Sequence, residues 1–118
     1  LVEIIAVLLI IAIMAAVAAP KFINLADDAR EGIAQAGINE AKASLSVAYV
    51  KAYLDKNKPS ASGTAPTNTE VMTAAGFGAT VVFGDVSVAF DTATAGQIDL
   101  TATYDGETAT DTWDVPTN

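Results

Sequence analysis

Cysteine and histidine are both absent from the 118-residue sequence. Without cysteine, the chain has no disulfide framework, no thiolate zinc site and no cysteine nucleophile. Without histidine, it lacks the usual general base, the commonest metal ligand and the usual switch near neutral pH. We therefore predict that the protein is not an enzyme and that it uses no metal and no cofactor.

Basic residues are absent from the second half of the sequence. All six lysines and arginines lie within residues 1–58, and the net charge of the whole chain is −8. With no basic patch to displace counterions from phosphates, we predict no binding to nucleic acid. The acidic second half is predicted to stay hydrated and to repel its own copies.

A long apolar segment, LVEIIAVLLIIAIMAAVAAP, opens the chain, and its only charged side chain is Glu3. At about 1.5 Å per residue, a helix of this segment nearly spans a hydrocarbon core. A carboxylate at the bilayer centre costs roughly 2.5–3.5 kcal/mol on insertion scales, which favours a partner or a function for Glu3. One interpretation is a secretory signal peptide, although an acid stands where a basic region is expected. A second is a single-pass anchor with Glu3 at the level of the headgroups.

A third interpretation is a helix that occupies two environments. Ala12 and Ala16, like Ala15 and Ala19, are small residues four apart, a spacing that allows close contact between helices. Pro20 removes the hydrogen bond back to Ala16 and disfavours helix at Ala19, yet the helical pattern continues beyond it. We therefore predict a long helix with a weak point, or break, at Pro20.

The run LVEIIAVLLIIAIMAAVAAPKF resembles the N-terminus of mature type IV pilins, which read Phe-Thr-Leu-(Ile/Val)-Glu before a long apolar stretch ending at a proline. The following PKFINLADDAR resembles the mannose-sensitive haemagglutinin branch in particular. The resemblance covers about the first third of the chain. The Phe-Thr pair and the leader peptide do not precede Leu1, so the family's methylated phenylalanine has no counterpart here, and we infer trimming or residues outside this sequence. Ala12 stands where many pilins carry a helix-weakening glycine.

The resemblance implies a role for each part of the apolar segment. Glu3 is expected to pair with the N-terminal ammonium of a neighbouring subunit and so to set the register of assembly. The expected partners are identical subunits, the inner membrane before assembly, the pilus assembly machinery and prepilin peptidase. The residues expected to pack in the filament core are Leu1, Val2, Ile4, Ile5, Val7, Leu8, Leu9, Ile10, Ile11 and Ile13.

Beyond Pro20 the sequence predicts an amphipathic helix and then a β-rich unit. A stripe at helical spacing should hold a sheet against the helix; its members are Ala34, Ile38, Ala41, Leu45, Ala48 and Ala52. Asp27/Arg30 and Lys51/Asp55 lie at the spacings of helical ion pairs.

After a loop at 57–68, Thr67 and Glu70 fit a capping box that opens a short helix ending at Gly76. The runs ATVVF, VSVAF, QIDLTATY and ETATDTWDV predict four strands, the last two joined at Asp105-Gly106 by a tight turn. A calcium site at Asp105 and Glu107 is the less favoured alternative there.

These patterns predict an α+β fold, in which a long N-terminal helix packs on a small antiparallel sheet of about four strands. The expected segments are a transmembrane or filament-core helix at 1–20, its amphipathic continuation at 21–56 and an acidic head at 57–118. The expected function is that of a structural subunit that polymerises into an extracellular type IV pilus filament for surface attachment or motility. It would wait in the inner membrane before assembly. The alternatives are a type II secretion pseudopilin or minor pilin, and a single-pass membrane-anchored binding protein.

Overall fold

The computed structural model describes residues 1–58 and 63–117. It has the predicted α+β fold, with one long helix, one short helix and a four-stranded antiparallel sheet. In chain order the elements are α1 (Val2–Lys56), α2 (Asn68–Ala75), β1 (Thr80–Phe83), β2 (Val86–Asp91), β3 (Gln97–Tyr104) and β4 (Glu107–Asp114). Part of the predicted loop at 57–68 lies outside the described residues.

Helix α1 dominates the shape of the molecule, which measures 88 × 22 × 20 Å. The break expected at Pro20 is not present, because α1 continues through this residue as one helix of 55 residues. A proline inside a helix removes one hydrogen bond and introduces a clash, at a cost of about 3 kcal/mol. Ala15, Ala16, Ala18 and Ala19 precede it, and this alanine-rich stretch, with the best helix-forming residue, favours continuation.

The C-terminal half of α1 packs on the sheet through the predicted stripe, all six members of which are buried. The strands follow one another in the order β1-β2-β3-β4, each antiparallel to the next. On β3 the alternation is confirmed, since Ile98, Leu100 and Ala102 are buried and the residues between them are exposed. Gly37 lies where the helix approaches β2, because a Cβ there would lie only 2.6 Å from Cγ1 of Val86.

Helix α2 has both ends that the sequence predicts. The Thr67 side chain accepts a hydrogen bond from the Glu70 backbone N–H, and the Glu70 carboxylate accepts one from the Thr67 backbone, which completes the capping box. At the other end, Gly76 adopts the left-handed conformation (φ 73°). The helix begins at Asn68, immediately after its cap, and buries Val71 in the core.

Asn68 ties α2 to the loop between β2 and β3. Its side-chain amide donates to the carbonyls of Thr94 (2.7 Å) and Gln97 (2.6 Å), and its oxygen accepts from the Gly96 N–H (3.0 Å). The side chain is buried and makes all of these contacts across the tertiary fold. Asn68 therefore fixes a loop that has little apolar packing of its own.

Ion pairs connect α1 to the acidic head. Arg30 Nε lies 2.8 Å from Asp105 at the β3–β4 turn, and Lys42 pairs with Asp111 on β4. By the alternation of β4, Asp111 belongs to the same face of the sheet as the buried Ala109 and Trp113. Asp111 is nevertheless exposed, and this accounts for the irregular pattern of the strand.

The predicted ion pairs within α1 have different outcomes. Arg30 Nη1 lies 2.9 Å from Asp27, so the first pair is confirmed. The pairing of Lys51 with Asp55 is wrong. Lys51 instead donates to the Ala74 carbonyl (3.3 Å), and Asp55 pairs with Lys58 (3.1 Å). The contact of Lys51 with α2 thus replaces the ion pair that its spacing from Asp55 suggests.

The β3–β4 turn has the conformation of a tight hairpin. Asp105 (φ 47°) and Gly106 (φ 89°) both adopt left-handed backbone angles, as a two-residue type I′ turn requires. Because Arg30 engages the Asp105 carboxylate, this turn serves to connect the helix and the sheet. Among residues 1–58 and 63–117, no three acidic residues cluster as a metal site would need.

Candidate assembly surface

The first 25 residues of α1 extend away from the head and make no packing contact that buries them. Every large apolar side chain in this segment is exposed, from Val7 with 55 % of its surface accessible to Leu1 with 94 %. Isolated apolar residues are normal on a protein surface, but a continuous apolar patch of this length indicates an interaction site or a membrane segment. We call residues 1–25 the exposed rod.

The exposed rod is long and apolar enough to cross a membrane. Its most apolar 18-residue window has a mean hydropathy of 2.9, and none of that window is buried against the rest of the subunit. A core helix of a soluble protein would have most of this surface covered. The rod can therefore anchor the chain in a lipid bilayer by its length and composition.

Glu3 lies in the first turn of α1, where the free N–H groups and the helix dipole favour a negative charge. Its side chain is exposed and forms no ion pair with any residue that the structure describes. The Leu1 carbonyl already accepts the hydrogen bond of the Ile5 N–H (3.2 Å), so helical hydrogen bonding includes Leu1. The Glu3 carboxylate thus lies at the tip of the rod.

The predicted core residues and the predicted small residues share this rod. Ala12, Ala15, Ala16 and Ala19 are all exposed on one side of α1, and they give another helix a shallow surface to approach. Leu1, Ile5 and Leu8 continue this side towards the start of the helix, and the other large members surround it. Apart from Glu3, no side chain of the rod before Lys21 is polar, so apolar partners can cover the rod on all sides.

A further exposed apolar row was missed by the sequence reasoning. Within the head, α1 exposes Val47 (72 %), Val50 (55 %) and Leu54 (56 %) on the side opposite the buried stripe. In the sequence this row is a second series of apolar residues spaced three and four positions apart. Each of its members follows a member of the buried stripe by two residues. It escaped notice because one apolar stripe already accounted for packing on the sheet.

The electrostatics of the head come from pairs between α1 and the sheet or α2. The Thr67 backbone N–H and the Lys56 side chain lower the pKa of Glu70 below its usual value. Lys42, with the Thr112 N–H, likewise lowers the pKa of Asp111. Each of these carboxylates therefore favours its charged form and pairs with a base of α1.

Comparison with known proteins gave no match to a family model, to a curated protein or to a solved structure. The arrangement of a long apolar N-terminal helix on a small antiparallel sheet is nevertheless the general architecture of type IV pilins.

Proposed function

We propose that this chain is the major structural subunit of a type IV pilus. The observation that carries the proposal is the exposed rod, whose apolar surface has no partner within the subunit. The resemblance of its sequence to the pilin N-terminus and the packing of α1 on a four-stranded sheet support the same function.

The rod has two alternative partners in this proposal. In the inner membrane, lipid covers it, and in the filament the rods of identical subunits cover one another. Burial of a Leu, Ile or Val side chain stabilises a contact by roughly 1.5–3 kcal/mol relative to exposure in water, so the many such side chains of the rod make a large contribution per subunit. The acidic heads then coat the outside of the filament.

Glu3 has a specific role in this assembly. A carboxylate enclosed by apolar rods is costly unless a cation neutralises it. As the resemblance to pilins implies, the N-terminal ammonium of a neighbouring copy supplies that cation. Glu3 therefore selects the register between subunits. Prepilin peptidase and the pilus assembly machinery are the expected processing and assembly partners.

Sheared cell-surface material, examined by electron microscopy and mass spectrometry, tests this function. We expect filaments in which this chain is the most abundant protein. A filament that contains the chain only as a rare component would indicate a minor pilin or a pseudopilin. A detergent-soluble monomer with no filament would indicate a membrane-anchored binding protein.

The role of Glu3 is tested by Glu3→Gln, which keeps the size of the side chain and removes its charge. We expect the number of filaments to fall strongly, while the subunit remains in the membrane. Glu31→Gln is the matched control, because Glu31 is exposed on the same helix outside the apolar run. Normal filaments from Glu3→Gln would contradict the proposed pairing.

A further inference from the structure

Two segments of α1 carry matching rows of exposed side chains. The first row consists of Phe22, Ala26, Ala29 and Ile33. The second row consists of Ala43, Val47, Val50 and Leu54. Both rows have the same spacing of four, three and four residues, and every member is exposed. The second row lies about 200° around the helix from the buried stripe, so it faces away from the sheet.

When one row is shifted by 21 residues, the two rows complement each other in size at three of the four levels, and at the fourth two large side chains, Ile33 and Leu54, meet. Phe22 then lies opposite Ala43, and Ala26 lies opposite Val47. Ala29 lies opposite Val50 in the same way. Large side chains that face small ones fill the space between two helices without voids. The first row thus fits the second row of another copy.

Charged residues beside the rows favour the same shift. Lys21 comes within two residues, about 3 Å along the axis, of the level of Glu40. Asp28 likewise comes within two residues of the level of Lys51. Among the described residues, Lys21, Asp28 and Glu40 form no ion pair, and Lys51 only donates to a carbonyl.

In this register Lys42 and Arg30 each come level with a base of the other copy, but both already form ion pairs within their own chain. Lys42, at the level of Lys21, pairs with Asp111, and Arg30, at the level of Lys51, pairs with Asp27 and Asp105.

A groove beside the second row offers room for one more side chain. It has a volume of about 450 Å³ and runs between α1 and the end of α2, with Val47, Ala74 and Phe77 among its walls. Leu25, exposed on the flank of the first row that also carries Asp28, comes level with Ser46 after the shift. In a parallel pair of helices, this flank meets the flank that holds Lys51 and the groove.

From these observations, and resting on the proposed function, we propose a specific contact between copies. The first row of one subunit packs in parallel against the second row of another subunit, with a shift of 21 residues, or about 31 Å along the helix axis. Leu25 enters the groove, and Lys21 comes close to Glu40. The contact joins the end of the exposed rod and the turns of α1 that follow it to the part of α1 that carries the head.

Disulfide trapping tests this register, and the absence of native cysteine makes every crosslink interpretable. In the double variant Ala26→Cys/Val47→Cys, the two sulfurs of one chain are separated by 21 helical residues, about 31 Å. A disulfide needs a Cα–Cα distance of about 4.4–6.8 Å, so a 26–47 bond can form only between copies. We expect mild oxidation of the assembled filament to give a ladder of oligomers on a denaturing gel.

Two controls make the result specific. Each single variant can give at most a dimer, and Ala26→Cys/Leu54→Cys moves one sulfur by seven residues, about 10 Å, along the same row. Filaments that give no 26–47 ladder, or that give an equal 26–54 ladder, would overturn the register and leave the proposed function intact. If the unmodified chain makes no filament, the proposed function itself fails.

A charge exchange provides a second test that needs no cysteine. We expect Lys21→Glu to lose most filaments, and Glu40→Lys to do the same. The double variant Lys21→Glu/Glu40→Lys should recover them, since it restores opposite charges at the same two positions. Full assembly of both single variants, or failure of the double variant while the subunit remains folded in the membrane, would count against the contact.

Discussion

One helix has two very different surroundings along its length. Leu8 and Leu45 are the same residue type in the same α-helix, but Leu45 is fully buried against the sheet and Leu8 is exposed. The difference lies only in what packs beside them. The second half of α1 packs on the sheet, whereas the first half is exposed, and the proposed function assigns it a membrane or other copies as its partner. Four changes test this contrast, from the largest expected effect to the smallest.

Leu45→Ala should destabilise the head by about 2–5 kcal/mol, because it removes buried methyl groups and leaves a cavity. Leu8→Ala is the matched control and should leave the head unchanged, since Leu8 touches no part of it. Both can be measured by denaturation of the subunit in detergent, with fluorescence from the buried Trp113 as the signal. An equal loss from both variants would show that the rod and the head are not independent.

Asn68→Ala should cost about 1–3 kcal/mol, since the carbonyls of Thr94 and Gln97 lose their shared donor in a partly buried site. Asn24→Ala provides the comparison on α1, where the asparagine is exposed and alanine is the better helix former. The same fluorescence measurement applies. A neutral Asn68→Ala would mean that the β2–β3 loop does not depend on this side chain.

Two glycines of α1 should respond to alanine with opposite signs. Gly37→Ala forces a methyl group against Val86, and overpacking of about 1–3 kcal/mol outweighs the gain of helix propensity. At Gly32 an added Cβ meets nothing within 4 Å, so Gly32→Ala should stabilise the subunit by about 0.5–1 kcal/mol. Thermal unfolding of the two variants side by side would reveal the signs. Adding Val86→Ala to Gly37→Ala should restore part of the lost stability, because it removes the side-chain atoms that the new methyl group meets.

Acid should weaken the head slightly. The pKa values of Glu70 and Asp111 are lower in the folded subunit than their ordinary values of 4.5 and 3.8. Both carboxylates therefore contribute stability above those ordinary values and lose it as the pH falls through their folded-state pKa values. Lys42→Met should move the pKa of Asp111 upward and flatten this dependence. Carboxyl titration by NMR would detect the change, and an unaltered Asp111 titration would contradict it.

Much of the fold was predictable because local patterns and tertiary packing agree. The buried stripe of α1, the capping box at Thr67 and the alternation of β3 each depend on neighbours close in sequence. The turn at Asp105-Gly106 follows from the backbone angles that these two residues tolerate. In these elements no distant contact opposes the local preference.

The remaining features depend on distant contacts or on the balance of a whole element. Proline predicts a local break, but the continuity of α1 through Pro20 reflects the helical preference of the residues around it. Lys51 donates a hydrogen bond to the carbonyl of Ala74 on α2. The spacing of Lys51 from Asp55 gives no indication of this distant contact. The three contacts of Asn68 reach residues 26 to 29 positions away. The apolar row that includes Val47 can be recognised from its spacing in the sequence. That spacing does not indicate which surface would cover the row.

For the filament proposed above, the ion pairs between the helix and the head have a consequence at the level of whole fibres. Glu70, Asp105 and Asp111 are paired with bases of α1. The acids of the head that form no ion pair among the described residues are Asp85, Asp91, Asp99, Glu107 and Asp114. A fibre with such heads outward has a coat of one sign, whose field extends about 8 Å at physiological ionic strength and about 30 Å in dilute buffer. Neighbouring fibres should therefore separate in fresh water and gather into bundles as salinity rises.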